Sequence, residues 1–167
     1  LYEAAMAGCY NYYSDDLGET WSICTGSMMV WPLPSENNIG GFGVCWEPVV
    51  IELNDGRVMM FMRTNVGRIY QSFSEDGGET WLLPETTVLA SGDVPCWLGR
   101  AKTTGNLVVV WNQSSKEEIE QGYSRGRLSI ATSSDEAKTW SDPMTLDLSS
   151  GMSDVDKVVL PPIAHVR

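Results

Sequence analysis

The chain has 167 residues, an apolar fraction of 43% and a formal net charge of −11. This length suffices for one domain with its own core, whereas the acidic balance argues against nucleic acid as a partner. No apolar run reaches the roughly 18 residues of a transmembrane helix, so no membrane span is predicted.

The cysteines and the single histidine do not form a metal-binding pattern. Cys9, Cys24, Cys45 and Cys96 show no CxxC spacing, and His165 stands alone near the end. We therefore expect neither a zinc site nor a cofactor. Free buried thiols are the favoured interpretation, and disulfides remain an alternative.

The first part of the chain predicts two strands joined by a polar turn. Aromatic residues favour a strand at 7–13, and a second strand is expected at 19–24. Residues 25–43 are rich in Pro, Asn and Gly and indicate a loop. The chain begins without Met and inside an apparent strand, so we expect it to be a fragment of a longer protein.

Residues 45–84 predict a four-stranded antiparallel meander. Asn54-Asp55-Gly56 is typical of a hairpin turn. The strands of this unit are expected at 46–53, 57–63, 68–74 and 80–83.

A second unit of the same kind is predicted over 96–143. Its strands are expected at 97–102, 106–112 and 126–132, followed by a polar turn and Thr139-Trp140, with Pro143 closing the unit. Residues 113–124 read as a long polar loop. Residues 144–167 are less regular, with a strand candidate at 158–160, and no segment shows convincing helical periodicity.

One turn motif, Ser-x-Asp-x-Gly-x-Thr-Trp, recurs once in each of these units. Its copies start at Ser14, Ser74 and Ser133, which are 60 and 59 residues apart. Ser and Asp side chains can bond nearby backbone amides, and Gly permits positive φ. The third copy has Ala137 in the Gly position, so we expect a less well-formed turn there. The motif residues are Ser14, Asp16, Gly18, Thr20, Trp21, Ser74, Asp76, Gly78, Thr80, Trp81, Ser133, Asp135, Thr139 and Trp140.

Four-stranded units at a constant period describe an all-β protein of the β-propeller type. The Trp of each motif offers an apolar face to pack under the next sheet. A closed propeller needs more blades than this chain supplies. The chain is expected to hold blade pieces at about 1–24, 45–84, 96–143 and 144–167.

Counting along the hairpin places two charged residues together. Glu47 lies eight residues before Asp55 and Arg63 lies eight after it, so the two should meet at the end away from the turn. The motif at residues 74–81 should lie at the opposite end. We therefore interpret the repeated motifs as structural, and the loop end as the working face. An ordinary cross-strand ion pair is the alternative for Glu47 and Arg63.

Other residues are expected at that loop end because they lie where predicted strands begin or end. Arg125 precedes a strand there, with Arg127 as the alternative on the same side. Asn112 closes a strand there and is a candidate for binding a ligand. Trp46 is either a pocket wall or ordinary packing.

The repeated motif resembles the Asp-box of sialidases, and the segment from Glu47 to Arg57 with Arg63 is similar to the sialidase stretch that carries a catalytic Glu and one active-site Arg. The resemblance covers nearly the whole chain. It implies a six-bladed propeller and retaining cleavage of terminal sialic acids. It also implies three Arg residues on the substrate carboxylate, a Tyr nucleophile, a Glu that activates this Tyr, and an Asp acid/base.

Carried over by residue, the resemblance implies that Glu47 activates the Tyr and that Arg63 and Arg125 bind the carboxylate. Asn112 at the same end is then a candidate for contact with sugar hydroxyls. Sialylated or other acidic glycans are the implied partners, and a secreted or periplasmic location is implied by the resemblance alone. The chain departs from the pattern at Met152, which falls where the Tyr is expected. The Tyr is either missing or lies beyond residue 167, and the acid/base Asp and the first Arg are expected before residue 1.

Two main functions follow. The first is a sialidase-like glycoside hydrolase in the full-length protein, and the second is a non-catalytic Asp-box propeller that binds glycan or protein. A propeller enzyme with other sugar chemistry, such as a lyase or a rhamnosidase-type hydrolase, is a third.

Overall fold

The computed structural model describes residues 8–28 and 45–152. Within these ranges, strands form one two-stranded and two four-stranded antiparallel sheets. The elements are β1 Tyr12–Tyr13, β2 Ser22–Ile23, β3 Cys45–Glu52, β4 Val58–Thr64, β5 Arg68–Ser74, β6 Glu85–Ala90, β7 Cys96–Arg100, β8 Leu107–Asn112, α1 Lys116–Glu120, β9 Arg127–Ser133 and β10 Met144–Leu148. The candidate strand at 158–160, His165 and most of the expected 25–43 loop fall outside the described residues. No helix in the described ranges has the length and apolarity to span a membrane.

Both four-stranded sheets are meanders, with β3 to β6 in one and β7 to β10 in the other, each in sequential order. The hairpin turn between β3 and β4 closes as expected, since the Leu53 amide donates to the Arg57 carbonyl (2.8 Å). The described part of the chain is therefore nearly all-β, with antiparallel four-stranded blades.

The last strand of each blade begins later than predicted. In the first blade it is Glu85–Ala90 rather than 80–83. Residues 81–84 instead close the Asp-box: the Ser72 hydroxyl donates to the Leu82 carbonyl (2.6 Å), and Pro84 has no N–H for a strand ladder. In the second blade Met144–Leu148 pairs with β9, so that sheet extends past Pro143, where it was expected to end.

The expected loop at 113–124 contains α1, a helix that periodicity did not predict. Its five residues are too few for an amphipathic pattern, and its stability comes from a capping box. The Glu118 amide donates to the Ser115 hydroxyl (3.1 Å), and the Ser115 amide donates to the Glu118 carboxylate (2.8 Å).

The three Asp-boxes share one hydrogen-bond pattern. In the second, the Gly78 amide donates to the Ser74 hydroxyl (2.8 Å), and the Thr80 amide and hydroxyl both donate to the Asp76 carboxylate. Gly78 has φ 100°, and a side chain there would press on Asn11 of the preceding unit. Glycine at position 78 thus takes the positive φ without strain and leaves room for the close packing of Asn11.

The third Asp-box is as well formed as the others, contrary to expectation. Ala137 donates its amide to the Ser133 hydroxyl (3.0 Å), and Thr139 donates its amide to Asp135 (2.9 Å). Ala137 has φ 65° and Glu136 has φ 59°. Local hydrogen bonds therefore impose the left-handed backbone on residues other than Gly, at a steric cost.

The core lies on both faces of β4. Met59 and Phe61 face the second blade, where they join Leu107, Trp111 and other buried side chains. Met60 and Met62 face the other way, toward Cys9 and Met28 of the preceding unit and toward Trp81. The alternation along a strand with period two lets one strand contribute to two cores. Trp81 and Trp140 pack on the preceding unit rather than the next one. The Trp81 indole donates to Asn11 Oδ1 (2.7 Å), and the Trp140 and Phe61 ring centroids are 5.6 Å apart.

Contacts between the blades define two faces of the fragment. At one end, Asn54 and Arg100 both bind Glu136, so the hairpin turns and the Asp-boxes lie together. We call this end the Asp-box face. At the other end the Trp111 indole donates to the Ala90 carbonyl (2.7 Å). This end carries the connections at residues 64–68, 91–95 and 113–126, and we call it the loop face.

Candidate functional site

Glu47 projects from an irregularity at the start of β3 on the loop face. Trp46 pairs with Arg63 and Val49 pairs with Phe61, so the β3 side has one extra residue in a β-bulge. Glu47 takes φ 44° at this bulge, and Pro48 follows it without an N–H. The hairpin count thus identified the correct neighbourhood, although the direct cross-strand partner of Arg63 is Trp46.

Arg63 is held by two carboxylates and an aromatic ring. Its Nη1 donates to Glu47 Oε2 (2.7 Å) and its Nε donates to Asp93 Oδ1 (2.8 Å). Its guanidinium carbon lies 5.0 Å from the centre of the Trp46 ring, a cation–π distance. Asp93 and then Glu47 raise the pKa of Arg63 above its ordinary value. The expected contact between Glu47 and Arg63 is present, and the Trp46 ring lies against the same guanidinium.

Asp93 is the residue of this cluster that sequence reasoning missed. It lies in the connection from β6 to β7, which is on the loop face next to Ala90. A polar residue in that short segment was therefore a usable signal. In the same connection, a side chain at Gly92 would meet the backbone of Ser124 at 3.1 Å. The Asp93 loop therefore touches the segment that leads to Arg125.

The two candidate Arg residues before β9 have different surroundings. Arg127 is fully buried, and its Nη2 donates to Glu118 Oε1 (2.6 Å), which ties α1 to the sheet. Arg125 is exposed on the loop face. Asn112 donates its side-chain amide to the Arg125 and Arg127 carbonyls (both 3.3 Å), so it braces the backbone on both sides of Gly126.

Met152 occupies the window in which the resemblance implies a Tyr. Its sulfur would be 2.2 Å from a Cβ at Gly126, so it packs directly on that glycine. The Ser149 amide donates to the Gly126 carbonyl (2.7 Å), which holds the same segment against the Arg125 loop. A thioether has no proton to lose, so residue 152 cannot take the role of a phenol.

The Asp-box aspartates lie on the opposite face and are satisfied within their own turns. The Thr80 hydroxyl and amide hold the pKa of Asp76 down at about 2. The corresponding threonines do the same for Asp16 and Asp135, each at about 2. These carboxylates are therefore ionised turn-formers.

A cavity of about 340 Å³ lies away from this cluster, beside the second Asp-box. No charged side chain lines it, so it offers no partner for an anionic sugar. The lining residues are Thr25, Gly26, Ser27, Met28, Trp81, Leu82, Leu83 and Pro84.

Comparison with known families matches residues 4–154 to the BNR repeat-like domain. The chain belongs to this family. The BNR repeat-like chain is also similar to the anhydrosialidase of Macrobdella decora. The two are 32% identical over 81 residues, which are 48% of this chain and 9% of that protein.

Solved sialidase structures resemble this BNR repeat-like chain in fold. The Hadza microbial sialidase Hz136 matches with a TM-score of 0.55 and 22% identity, over 83% of this chain and 25% of that one. The intramolecular trans-sialidase from Ruminococcus gnavus matches with a TM-score of 0.53 and 21% identity, over 81% and 28%. The chain is thus part of a sialidase-type β-propeller and spans under a third of these relatives.

Proposed function

We propose that this chain supplies part of the active site of a sialidase-type glycoside hydrolase. The observation that carries the proposal is the placement of Arg63 on the loop face between Glu47 and Asp93. Fold alone does not determine chemistry, whereas these side chains are of the types that bind a carboxylate and accept a proton.

Arg63 and Arg125 are the proposed ligands of the substrate carboxylate. Sialic acid carries a carboxylate on its anomeric carbon, and guanidinium groups bind such a group bidentately while remaining charged. The side chain of Arg63 is only 15% exposed, so its charge is less screened by water than a surface charge. Arg125 is the proposed triad member because Arg127 is committed to Glu118 in the interior.

Glu47 is the proposed activator of a Tyr nucleophile. Its side chain is 52% exposed, so a phenol from a neighbouring blade has access to it. A carboxylate beside a phenol can accept its proton as the phenolate attacks, and Tyr nucleophiles are a recognised feature of sialidases. We expect the Tyr, the acid/base Asp and the remaining Arg from other parts of the full-length protein.

The test uses the full-length protein and a fluorogenic aryl sialoside. Arg63→Lys should lower kcat/KM by about 100-fold because Lys cannot bind a carboxylate bidentately. Glu47→Gln should lower kcat by about 100-fold or more because the amide accepts no proton. Arg57→Lys is the matched control, since Arg57 pairs with Asp55 on the Asp-box face. Full activity of Glu47→Gln would show that its proposed role is wrong.

The nature of the product is part of the same experiment. Two similar proteins are named an anhydrosialidase and an intramolecular trans-sialidase. Hydrolysis yields the free sugar, whereas intramolecular transfer yields a product lighter by one water. Mass spectrometry of the released sugar separates these outcomes.

A non-catalytic glycan-binding propeller is the second candidate. It is favoured by Met152, which stands where the resemblance implies a Tyr. In that case the full-length protein should retain immobilised sialylated glycans without cleaving the aryl sialoside. Arg63→Lys should then weaken retention, which a protein-binding propeller would not show.

A further inference from the structure

Two carboxylates share Arg63, and their surroundings differ. Glu47 is 52% exposed and projects from a left-handed bulge residue, whereas Asp93 is 36% exposed and lies in a short connection between blades. Glu47 also has a proposed role that requires its carboxylate to act on another group. The arrangement therefore raises the question of what orients Arg63 when Glu47 is engaged elsewhere.

We propose that Asp93 is the fixed partner of Arg63, a positioning residue that aims its guanidinium at the substrate carboxylate and leaves Glu47 exchangeable. This inference rests on the proposed sialidase-type function and deepens it. Neither the resemblance nor the hairpin count points to Asp93.

The donor geometry of Arg63 supports this division. A guanidinium has five N–H groups in one plane. Asp93 takes the N–H at Nε and Glu47 takes one at Nη1, so three remain without a partner among the described residues, one on Nη1 and two on Nη2. A pair of these donors, one on each Nη atom, suits a carboxylate. A bond at Nε together with the Trp46 ring against the face defines the plane without Glu47.

The loop that carries Asp93 is itself held in place. The Ser91 amide donates to the Gly67 carbonyl (3.0 Å), and the Val94 amide donates to the Gly92 carbonyl (2.9 Å). Val94 is buried, with 1% exposure. Asp93 thus projects from a segment anchored on both sides, as a positioning residue requires.

Charge sharing gives a second reason for Asp93. If Arg63 had Glu47 as its sole partner, movement of Glu47 toward a phenol would leave the guanidinium without a counter-charge. With Asp93 present, Arg63 keeps a counter-charge when Glu47 turns to a phenol. A second carboxylate therefore makes substrate binding by Arg63 compatible with proton transfer by Glu47.

The test measures ligand charge dependence as well as activity in the full-length protein. Asp93→Asn should raise KM for the aryl sialoside about tenfold while changing kcat less than threefold, because it weakens orientation of a binding group. Binding of N-acetylneuraminic acid, measured by calorimetry, should weaken about tenfold, whereas binding of its methyl ester should stay unchanged. Asp93→Glu should restore most of both losses.

Asp55→Asn is the matched control, since it removes the same kind of carboxylate from an Arg pair on the Asp-box face. Equal loss of acid and ester binding in Asp93→Asn, with a lower Tm, would mean a merely structural role and overturn the inference. So would wild-type KM and acid affinity in both Asp93 variants. If the wild-type protein neither cleaves the sialoside nor binds the acid, the proposed function fails and the inference falls with it.

Discussion

The link between the two blades at Glu136 yields a quantitative prediction. Glu136 occupies an Asp-box position where the second copy has Gly77, and both residues have positive φ. Its carboxylate accepts bonds from Arg100 Nη1 (2.8 Å) and Nη2 (2.9 Å), and from the Asn54 amide (2.8 Å) and side chain (2.8 Å). Replacing Glu136 should therefore loosen the contact between the blades.

The expected magnitude follows from these contacts and their exposure. Bonds to a charged group contribute about 1.5–3 kcal/mol each at most, but the Glu136 and Arg100 side chains are 19% and 24% exposed, so water recovers part of the loss. We expect Glu136→Ala to destabilise the protein by about 2–4 kcal/mol. Glu136→Gly should lose about 1 kcal/mol less, because glycine relieves the left-handed backbone.

The assay is urea unfolding of the full-length protein, followed by tryptophan fluorescence and circular dichroism, with the m-value required to stay constant. A double-mutant cycle of Glu136→Ala with Arg100→Ala should give a coupling energy of about 1–2 kcal/mol. The same cycle on Asp55 and Arg57, whose side chains are 45% and 29% exposed, should give less than about 0.5 kcal/mol.

Two results would refute this reasoning. If Glu136→Ala changes the free energy of unfolding by less than about 0.5 kcal/mol, the bonds of Glu136 to Arg100 and Asn54 contribute no more than an ordinary surface ion pair. If Glu136→Gly is no more stable than Glu136→Ala, the left-handed backbone at residue 136 does not lower the stability of the protein measurably.

Two further predictions concern the Asp-boxes and the thiols. The folded pKa of Asp76 is about 2 and lies below its ordinary value, so its stabilisation is present above about pH 4 and is lost as the pH falls toward 2. Asp76→Asn should therefore flatten the fall of Tm between pH 4 and 2, and an unchanged slope would contradict this. Oxidised glutathione should join Cys9 to Cys45, whose sulfur atoms are 3.2 Å apart, and release reduced glutathione. Cleavage after Glu should then yield peptide 4–19 joined by a disulfide to peptide 37–52, while peptide 20–36, which contains Cys24, stays free. Separate peptides 4–19 and 37–52 from folded, oxidised protein would contradict the pairing.

Much of the fold could be predicted from the chain alone because its signals are local. The Asn54-Asp55-Gly56 turn and the alternation of the flanking residues specify one hairpin, and the Asp-box period specifies the blade. The fourth strands were misplaced because Pro84 and the closure of the Asp-box delay the ladder, an effect that depends on partners across the sheet. The capping box at Ser115 and Glu118 was a local signal for α1 that periodicity overlooked.

The candidate site likewise contains one contact that the sequence predicts and others that depend on tertiary packing. Glu47 and Arg63 lie on one hairpin, so counting from the turn places them in the same neighbourhood. Their 2.7 Å contact forms at the β-bulge, beside the direct pair of Trp46 and Arg63. Asp93 reaches Arg63 only because the connection between the blades folds back over the loop face, and Arg127 is separated from Arg125 only by its burial against Glu118. The sequence by itself determined the blades, their period and the face that carries Glu47 and Arg63. The tertiary structure decided which charges share Arg63 and which Arg remains exposed, because those contacts depend on how separate segments pack.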